Sequence, residues 1–415
     1  MIKKITFITV LILALSQTSF GQFEETMMFI VNMLVSQSPE LSGLGGTQVC
    51  IPDDNPGSVF YNPANGLSRK VGLSGTYSYN STDWSKSQPM SIDFNHEIFS
   101  LNYNPENSPF QISFSRQIYS MDLGTYSFRD FTGDTTMVFN PHLNARGLST
   151  ALRYRDTLLK IPLDLSAGIS VKSMNQYLNS DHNASSTYYD WGFLLSIPLR
   201  ANIFKNKNDR LSFRFSPSVG YSLTNYSDTS GNITVEFMNQ EITYILRKVK
   251  IGIAFTSRIT FRNELNLIEW KGGRAANDVL VKSYYPIKFQ SGLGDIDFLD
   301  NVIFTRHNSE IEMMRGNEIT ILEIYSLRRG SKIYLDGDFK FDELGYVWST
   351  SGVFNILGYL VGKESIKKLS DYISFEYSYA RLLNSFEKPL KFDDYRAYTI
   401  SINHIDRLIK SLVLP

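Results

Sequence analysis

The chain has 415 residues, 41 basic and 41 acidic side chains and one cysteine. The balanced charge offers no global field for nucleic acid or an acidic partner, and a lone cysteine excludes an internal disulfide and a cysteine-based metal site. Tyrosine (24) and phenylalanine (28) are abundant while hydrophobic content is 42 % and mean hydropathy is slightly negative, a profile that fits strands in which every second residue faces lipid better than it fits a soluble enzyme.

Residues 1–21 read as a signal peptide. Lys3 and Lys4 form its positive end, and the apolar run Ile5 to Leu15 falls well short of the roughly 20 residues that span a bilayer. Ser19-Phe20-Gly21 supplies small residues for cleavage before Gln22. Within Glu24–Gln37, the run Thr26–Val35 favours a short helix, placed in a barrel lumen, at its periplasmic mouth or on the inner leaflet. Cys50 lies far from the signal and follows Gln48 and Val49, which rules out lipidation there.

Residues 22–70 end in a glycine-rich stretch. Gly43, Gly45 and Gly46 allow tight turns and close backbone approach. Asp53-Asp54-Asn55-Pro56-Gly57 is a turn sequence, and Asn62-Pro63 presets an extended or turn conformation with an amide free to cross-link backbone. On its own, Asn62-Pro63-Ala64 reads equally as a surface turn before the first strand.

Strict period-two alternation follows. In Ile161–Ser173, Leu163, Leu165, Ala167, Ile169 and Val171 share one face and Ser166, Ser170 and Lys172 the other. Arg210–Leu223, Lys248–Phe261 and Tyr372–Ala380 repeat the pattern. Runs of this length suit tilted membrane strands, which need roughly 9–11 residues, and such strands must close into a barrel to satisfy their backbone groups. About fourteen strands are expected, beginning near Val71, Ile98, Phe110, Arg146, Ile161, Tyr188, Arg210, Lys248, Glu264, Val279, Glu318, Thr350, Asp371 and Tyr395. Short turns at Asp156–Lys160 and Arg262–Glu264 fall on the periplasmic side. Longer loops at Ser120–Ala145, Met174–Thr187 and Thr224–Gln240 fall outside. Gln290–Asn317 breaks this parity: it is long yet counts to the periplasmic side, which means either a mispaired strand or an insertion. The expected fold is an all-β transmembrane antiparallel barrel over residues 71–405, with a tail at 406–415.

No enzyme signature is present. The five histidines are scattered, and there is no nucleophile elbow, phosphate loop or dinucleotide fingerprint. No cofactor or metal is expected. Arg116, Arg214 and Lys250 are predicted to face the lumen, where they could meet a ligand carboxylate or pair with acidic residues across the lumen. Arg153, also near the lumen, flanks Tyr154 with Arg155 at a strand end, where headgroup contact is equally open.

The stretch Gly43 to Ala64, with its glycines, its Asp pair and Asn62-Pro63-Ala64, resembles the N-terminal plug of FadL-like outer-membrane barrels, a family that includes fatty-acid channels and the PorV/PorQ proteins of type IX secretion. Glu323–Gly330 resembles the late strand and Leu-Arg-x-Gly turn of the PorV/PorQ branch, as does Ile373–Tyr379 followed by Tyr395–Asn403. The resemblance implies an outer-membrane barrel with a periplasmic N-terminus. Gly43, Gly45, Gly46, Asp53, Asp54, Asn62, Pro63 and Ala64 would form a lumenal hatch. It also implies a role in binding secreted cargo or the translocon, alongside outer-membrane lipids. The alternative is a gated channel for hydrophobic small molecules such as long-chain fatty acids; a surface-adhesion barrel is a third option. Gln22 and the Tyr- and Asn-rich loops fit Bacteroidota-type secreted proteins, where the PorV/PorQ branch occurs.

Overall fold

The computed structural model describes residues 42–68, 70–83, 93–122, 126–129, 135–140, 142–158, 160–179, 182–202, 211–226, 232–235, 242–244, 247–262, 265–284, 287–290, 292–306, 311–334, 339–383 and 394–407. The expected signal peptide, the helix within Glu24–Gln37 and the end of the tail lie outside the described residues.

Fourteen antiparallel strands close into a barrel. They are β1 (Gly72–Asp83), β2 (Asp93–Asn104), β3 (Phe110–Asp122), β4 (His142–Leu158), β5 (Ile161–Asn179), β6 (His182–Ser196, resuming at Leu199–Asn202) and β7 (Leu211–Tyr226). The circuit continues through β8 (Lys248–Phe261), β9 (Leu265–Val279), β10 (Glu312–Ile321), β11 (Tyr325–Tyr334), β12 (Phe339–Ser349), β13 (Ile373–Leu383) and β14 (Asp394–Ile402). Each pairs with its sequence neighbours, and β1 pairs with β14 from Gly75↔Ile402 to Thr82↔Tyr395, so no edge remains. The interruption in β6 falls at Ile197-Pro198. Proline has no N–H for the ladder, and the Ile197 N–H bonds the Pro217 carbonyl at 3.0 Å instead.

Side-chain alternation sorts the wall. Phe99, Leu101, Ile112, Phe114, Leu152, Leu165 and Ile169 are exposed outward, while Ser100, Asn102, Gln111, Ser113, Ser149 and Ser166 are buried inward. Aromatic pairs such as Phe110–Tyr154 (5.1 Å) and Tyr325–Trp348 (4.9 Å) lie on the outside at one end. Apolar outside, polar inside and aromatic at the rim is the surface of a barrel that sits in lipid.

The connections separate the two ends. The links 105–109, 159–160, 262–264 and 322–324 are short and join strands at one end, whereas the strand ends Asp83, Asp93, Asp122, His142, Tyr226, Lys248, Val279 and Glu312, which bound longer stretches of sequence, lie at the other. At the short-turn end, β12 passes into two helices, α1 (Thr350–Val361) and α2 (Glu364–Tyr372). The Ser349 hydroxyl caps α1 by accepting from the Ser351 N–H at 3.4 Å, and Gly362 ends it with φ 68°. Asn355 donates to Glu323 at 3.1 Å, which lays α1 against the β10–β11 turn.

The strand count matches expectation through two compensating differences. Thr350 opens α1, not a strand, and the stretch from Val279 holds only the end of β9 and a small hairpin outside the barrel, Val281–Tyr284 with Ile287–Phe289. In their place stand β11 and β12, where no expected strand start falls. Leu327-Arg328-Arg329-Gly330 is strand interior, not a turn. With these two strands restored, residues 280–311 fall at the long-loop end and the parity conflict disappears.

That long loop folds back over the outside of the wall. Leu280, Ile296, Val302 and Ile311 pack with Leu223, Val249 and Ala276, burying outward positions of β7 to β9. Asp278 accepts from the Asp295 N–H at 2.7 Å, and Asp297 caps the turn at Phe298–Ile303. Each aliphatic side chain so covered contributes about 1.5–3 kcal/mol.

Candidate functional site in the lumen

Residues 42–68 lie against the inward face of the wall. The chain makes two short 3-10 turns, Thr47–Val49 and Pro56–Phe60. Gly45 (φ 59°) and Gly46 (φ 83°) set the entry to the first, in backbone conformations that disfavour a Cβ. Asn55 caps the second by accepting from the Gly57 N–H at 2.8 Å, with Pro56 at the first helical position.

Two buried asparagines tie the limbs together. The Asn62 amide donates to the carbonyls of Val49 (2.7 Å) and of Phe193 in β6 (3.0 Å), and its oxygen accepts from the Ala64 N–H (3.0 Å). Asn65 donates to Gln48 (2.6 Å) and Ile51 (3.1 Å) and accepts from the Asp53 N–H (3.2 Å). Asn65 was missed in the sequence, although its spacing of three from Asn62 repeats the same side-chain type on one turn.

The wall is cut to fit this backbone. A Cβ at Gly168 would overlap the Pro63 carbonyl, at Gly220 the Val49 carbonyl, at Gly316 the Leu44 carbonyl and at Gly330 the Gly45 N–H. These glycines sit on β5, β7, β10 and β11, so close approach holds along most of the segment's path. Further anchors are Ser218 to the Cys50 carbonyl (2.7 Å), the Gly45 N–H to Glu343 (3.1 Å), and Arg153 to the Leu67 carbonyl (3.3 Å).

The expected hatch residues therefore share one buried segment, with the exception of the Asp54 side chain, which is exposed. Gly43 lies against Gly345 and Arg328. Asp53 accepts from the Asn55 N–H at 3.1 Å, and burial pushes its carboxyl up against the opposing field of Lys271. Pro63 and Ala64 are buried against β5. The Cys50 thiol donates to the Thr47 carbonyl at 3.2 Å, and burial raises its pKa. Maleimide is accordingly expected to leave Cys50 unlabelled in the folded protein and to label it after denaturation. Rapid native labelling would contradict the packing.

The three cations predicted to face the lumen, Arg116, Arg214 and Lys250, stand apart from one another. Arg116 points outward in phase with Ile112 and Phe114, and Gln117 holds the neighbouring inward position. The correction is one of strand phase, because the inward series in β3 is Gln111, Ser113, Ser115 and Gln117. Arg214 lines a cavity of about 370 Å³ beneath Pro52 at the short-turn end, with Arg153, Arg155, Asp164 and Arg258. Lys250 lies on the far side of the segment, 5.4 Å over the Tyr61 ring. Around them the charges pair across strands: Arg153 with Asp164 (3.2 Å), Arg258 with Glu269 (2.5 Å), Lys332 with Glu343 (3.3 Å), and Lys172 with Asp190. Glu318 sits between Lys271 (2.9 Å) and Arg328 (2.5 Å). These pairs join neighbouring strands of the wall, and none of them includes Arg116, Arg214 or Lys250. Among the described residues no group of three or more metal-ligating side chains occurs.

No protein-family model matches the chain, and no curated protein does. Among solved structures, it is similar to the Pseudomonas putida toluene transporter TodX at 10 % identity, covering 87 % of this chain and 96 % of that one with a TM-score of 0.36. A Pseudomonas aeruginosa FadL homologue is similar at 10 % identity, 89 % and 99 % coverage and a TM-score of 0.37. The transport unit of the Escherichia coli autotransporter AIDA-I is similar at 10 %, with 81 % and 91 % coverage and 0.33. Likeness at these levels carries no inference about what this barrel binds or passes.

Proposed function

We propose that the chain is an outer-membrane barrel of the FadL-like type and PorV/PorQ branch, and that it serves type IX protein secretion by binding cargo or the translocon rather than by conducting solutes. In this reading the short-turn end faces the periplasm, the long loops face outside, and residues 42–68 act as a lumenal hatch. The observation that carries it is the fit between that segment and the wall glycines. Along residues 42–68 the lumen holds backbone seated too closely for a side chain to intervene, and a cavity of about 370 Å³ beside it places Arg153, Arg155, Arg214, Arg258 and Asp164 among prolines and Leu163. A channel for fatty acids or hydrocarbons needs an apolar path, and an arginine-lined cavity does not favour one.

Two measurements test this together. Purified barrel in planar bilayers is expected to show no steady conductance, and a mild-detergent pull-down from native outer membrane is expected to recover a much larger barrel or a secreted cargo protein in stoichiometric amount. Recovery of the barrel alone with a bound fatty acid, together with uptake of that acid into liposomes, would replace this reading with the channel.

A further inference from the structure

The outer wall of β9 to β11 carries a basic corner that neither the lumen nor the hatch explains. Arg274 and Arg315 are directly opposed across the β9–β10 pair, and Arg329 opposes Asn317 on the next pair, one diagonal step from Arg315. All three are exposed outward positions. Directly opposed like charges on one sheet face are destabilising unless something negative lies between them.

The level of the three arginines is informative. Below them on the same strands stand Trp270, Ile319 and Leu327, exposed and apolar. Above Arg274 the wall is covered by the loop at 280–311, whose Ile303 carbonyl accepts from the Arg274 guanidinium at 3.1 Å. Beside this contact the loop presents Leu299 and Phe304, each 60 % exposed. Among the described residues, Asp300 pairs with Arg306 (3.0 Å), Asp342 with Lys340 (3.1 Å), and Asp278 accepts the Asp295 N–H.

We infer that this corner binds the phosphorylated headgroup of an outer-leaflet glycolipid, with phosphate on Arg274, Arg315 and Arg329 and acyl chains lying along Trp270, Ile319 and Leu327. The inference rests on the outer-membrane orientation proposed above, not on the secretion role. Guanidinium forks match phosphate oxygens, and the long arginine stems can carry their charge along the apolar wall toward headgroup height. The lipid supplies both parts that the corner asks for, an anion beside the arginines and chains beside the apolar wall.

The test uses the full mature barrel extracted in mild detergent, with Arg315→Gln and the double variant Arg315→Gln, Arg329→Gln alongside. Heat-modifiable gel migration establishes that each variant folds. Native mass spectrometry then reads binding of diphosphorylated lipid A, dephosphorylated lipid A and inorganic phosphate. The wild type is expected to hold diphosphorylated lipid A, the double variant to bind it about tenfold or more weakly, dephosphorylated lipid A to bind poorly, and inorganic phosphate not to compete at millimolar concentration. Equal binding by wild type and folded double variant, equal binding of the dephosphorylated lipid, displacement by inorganic phosphate, or co-recovery of an acidic protein lost in the variants instead of lipid would each overturn the proposal. Membrane fractionation keeps the two readings apart: a barrel found outside the outer membrane sinks the orientation, while lipid bound without any secretion partner sinks only the secretion role.

Discussion

Replacing Gly220 with valine is expected to unseat residues 42–68 while leaving the barrel closed. The first added carbon would already overlap the Val49 carbonyl and approach the Cys50 Cα. Backbone is the obstacle on both sides, so no rotamer relieves the clash. Overpacking of this kind costs typically about 1–3 kcal/mol and more against rigid neighbours, enough to raise the unseated population tenfold or more. The strand itself loses little, since valine suits a β-strand and the β7 ladder to β6 and β8 keeps its pairing. Cys50 gives the readout: its labelling by maleimide should become fast in the folded variant, and conductance should appear in planar bilayers. Gly75→Ala is the matched control. Its Cβ would meet Ile405 at 3.4 Å and Leu101 at 3.6 Å, ordinary contact away from the segment. Silent Cys50 in Gly220→Val, with the barrel folded, would mean that the segment is held by its side-chain bonds and not by close backbone fit.

How much of this could be read in the sequence depended on whether a residue's partner was local. Strands β5, β7, β8 and β13 were legible because their outward positions are almost purely apolar and their inward positions are small or polar. Strands β11 and β12 were not, because Arg329 and Asp342 stand at outward positions, which breaks the apolar face. Conversely, Val353-Phe354-Asn355-Ile356-Leu357 is rich in branched residues yet forms helix α1, since Ser349 caps it and the β10–β11 turn offers a surface to pack on. The asparagine cross-link at Asn62 follows from its local sequence, whereas the glycines that receive the segment do not. A glycine inside a strand reads as a weakness or a bulge, and only the closed barrel brings Gly168, Gly220, Gly316 and Gly330 to one surface. Arg116 was misplaced for a related reason: one guanidinium cannot reveal strand phase, whereas the series Phe110, Ile112, Phe114 beside it does.

The second large effect is expected at Glu318, which connects the wall to the segment it holds. Its carboxylate lies between the Lys271 ammonium at 2.9 Å and the Arg328 guanidinium at 2.5 Å, all three nearly inaccessible to solvent. Lys271↔Glu318 and Glu318↔Arg328 are directly opposed in register, so the triad crosses β9, β10 and β11. Glu318→Gln keeps the shape and removes the charge, leaving two buried cations without their shared carboxylate. Breaking a buried pair in this way costs about 3–5 kcal/mol. One compensation is built in. Asp53 lies in the field of both Lys271 and Arg328, and burial holds its carboxyl toward the neutral form. When Glu318 is lost, Asp53 can ionise and take over part of its role, so the single variant should lose less at pH 8 than at pH 5. The sign follows from linkage: Glu318 helps to raise the Asp53 pKa, so without it the variant gives up less stability than the wild type as pH rises through the range where Asp53 ionises. The double variant Asp53→Asn, Glu318→Gln removes the reserve and should be destabilised by more than the sum of the two single changes, with no pH dependence from this source. Heat or urea unfolding in detergent, completed as a double-mutant cycle at both pH values, measures this coupling. Additive effects within about 0.5 kcal/mol would show that Asp53 and the wall triad act independently, and that the segment is seated by shape and hydrogen bonds without help from charge.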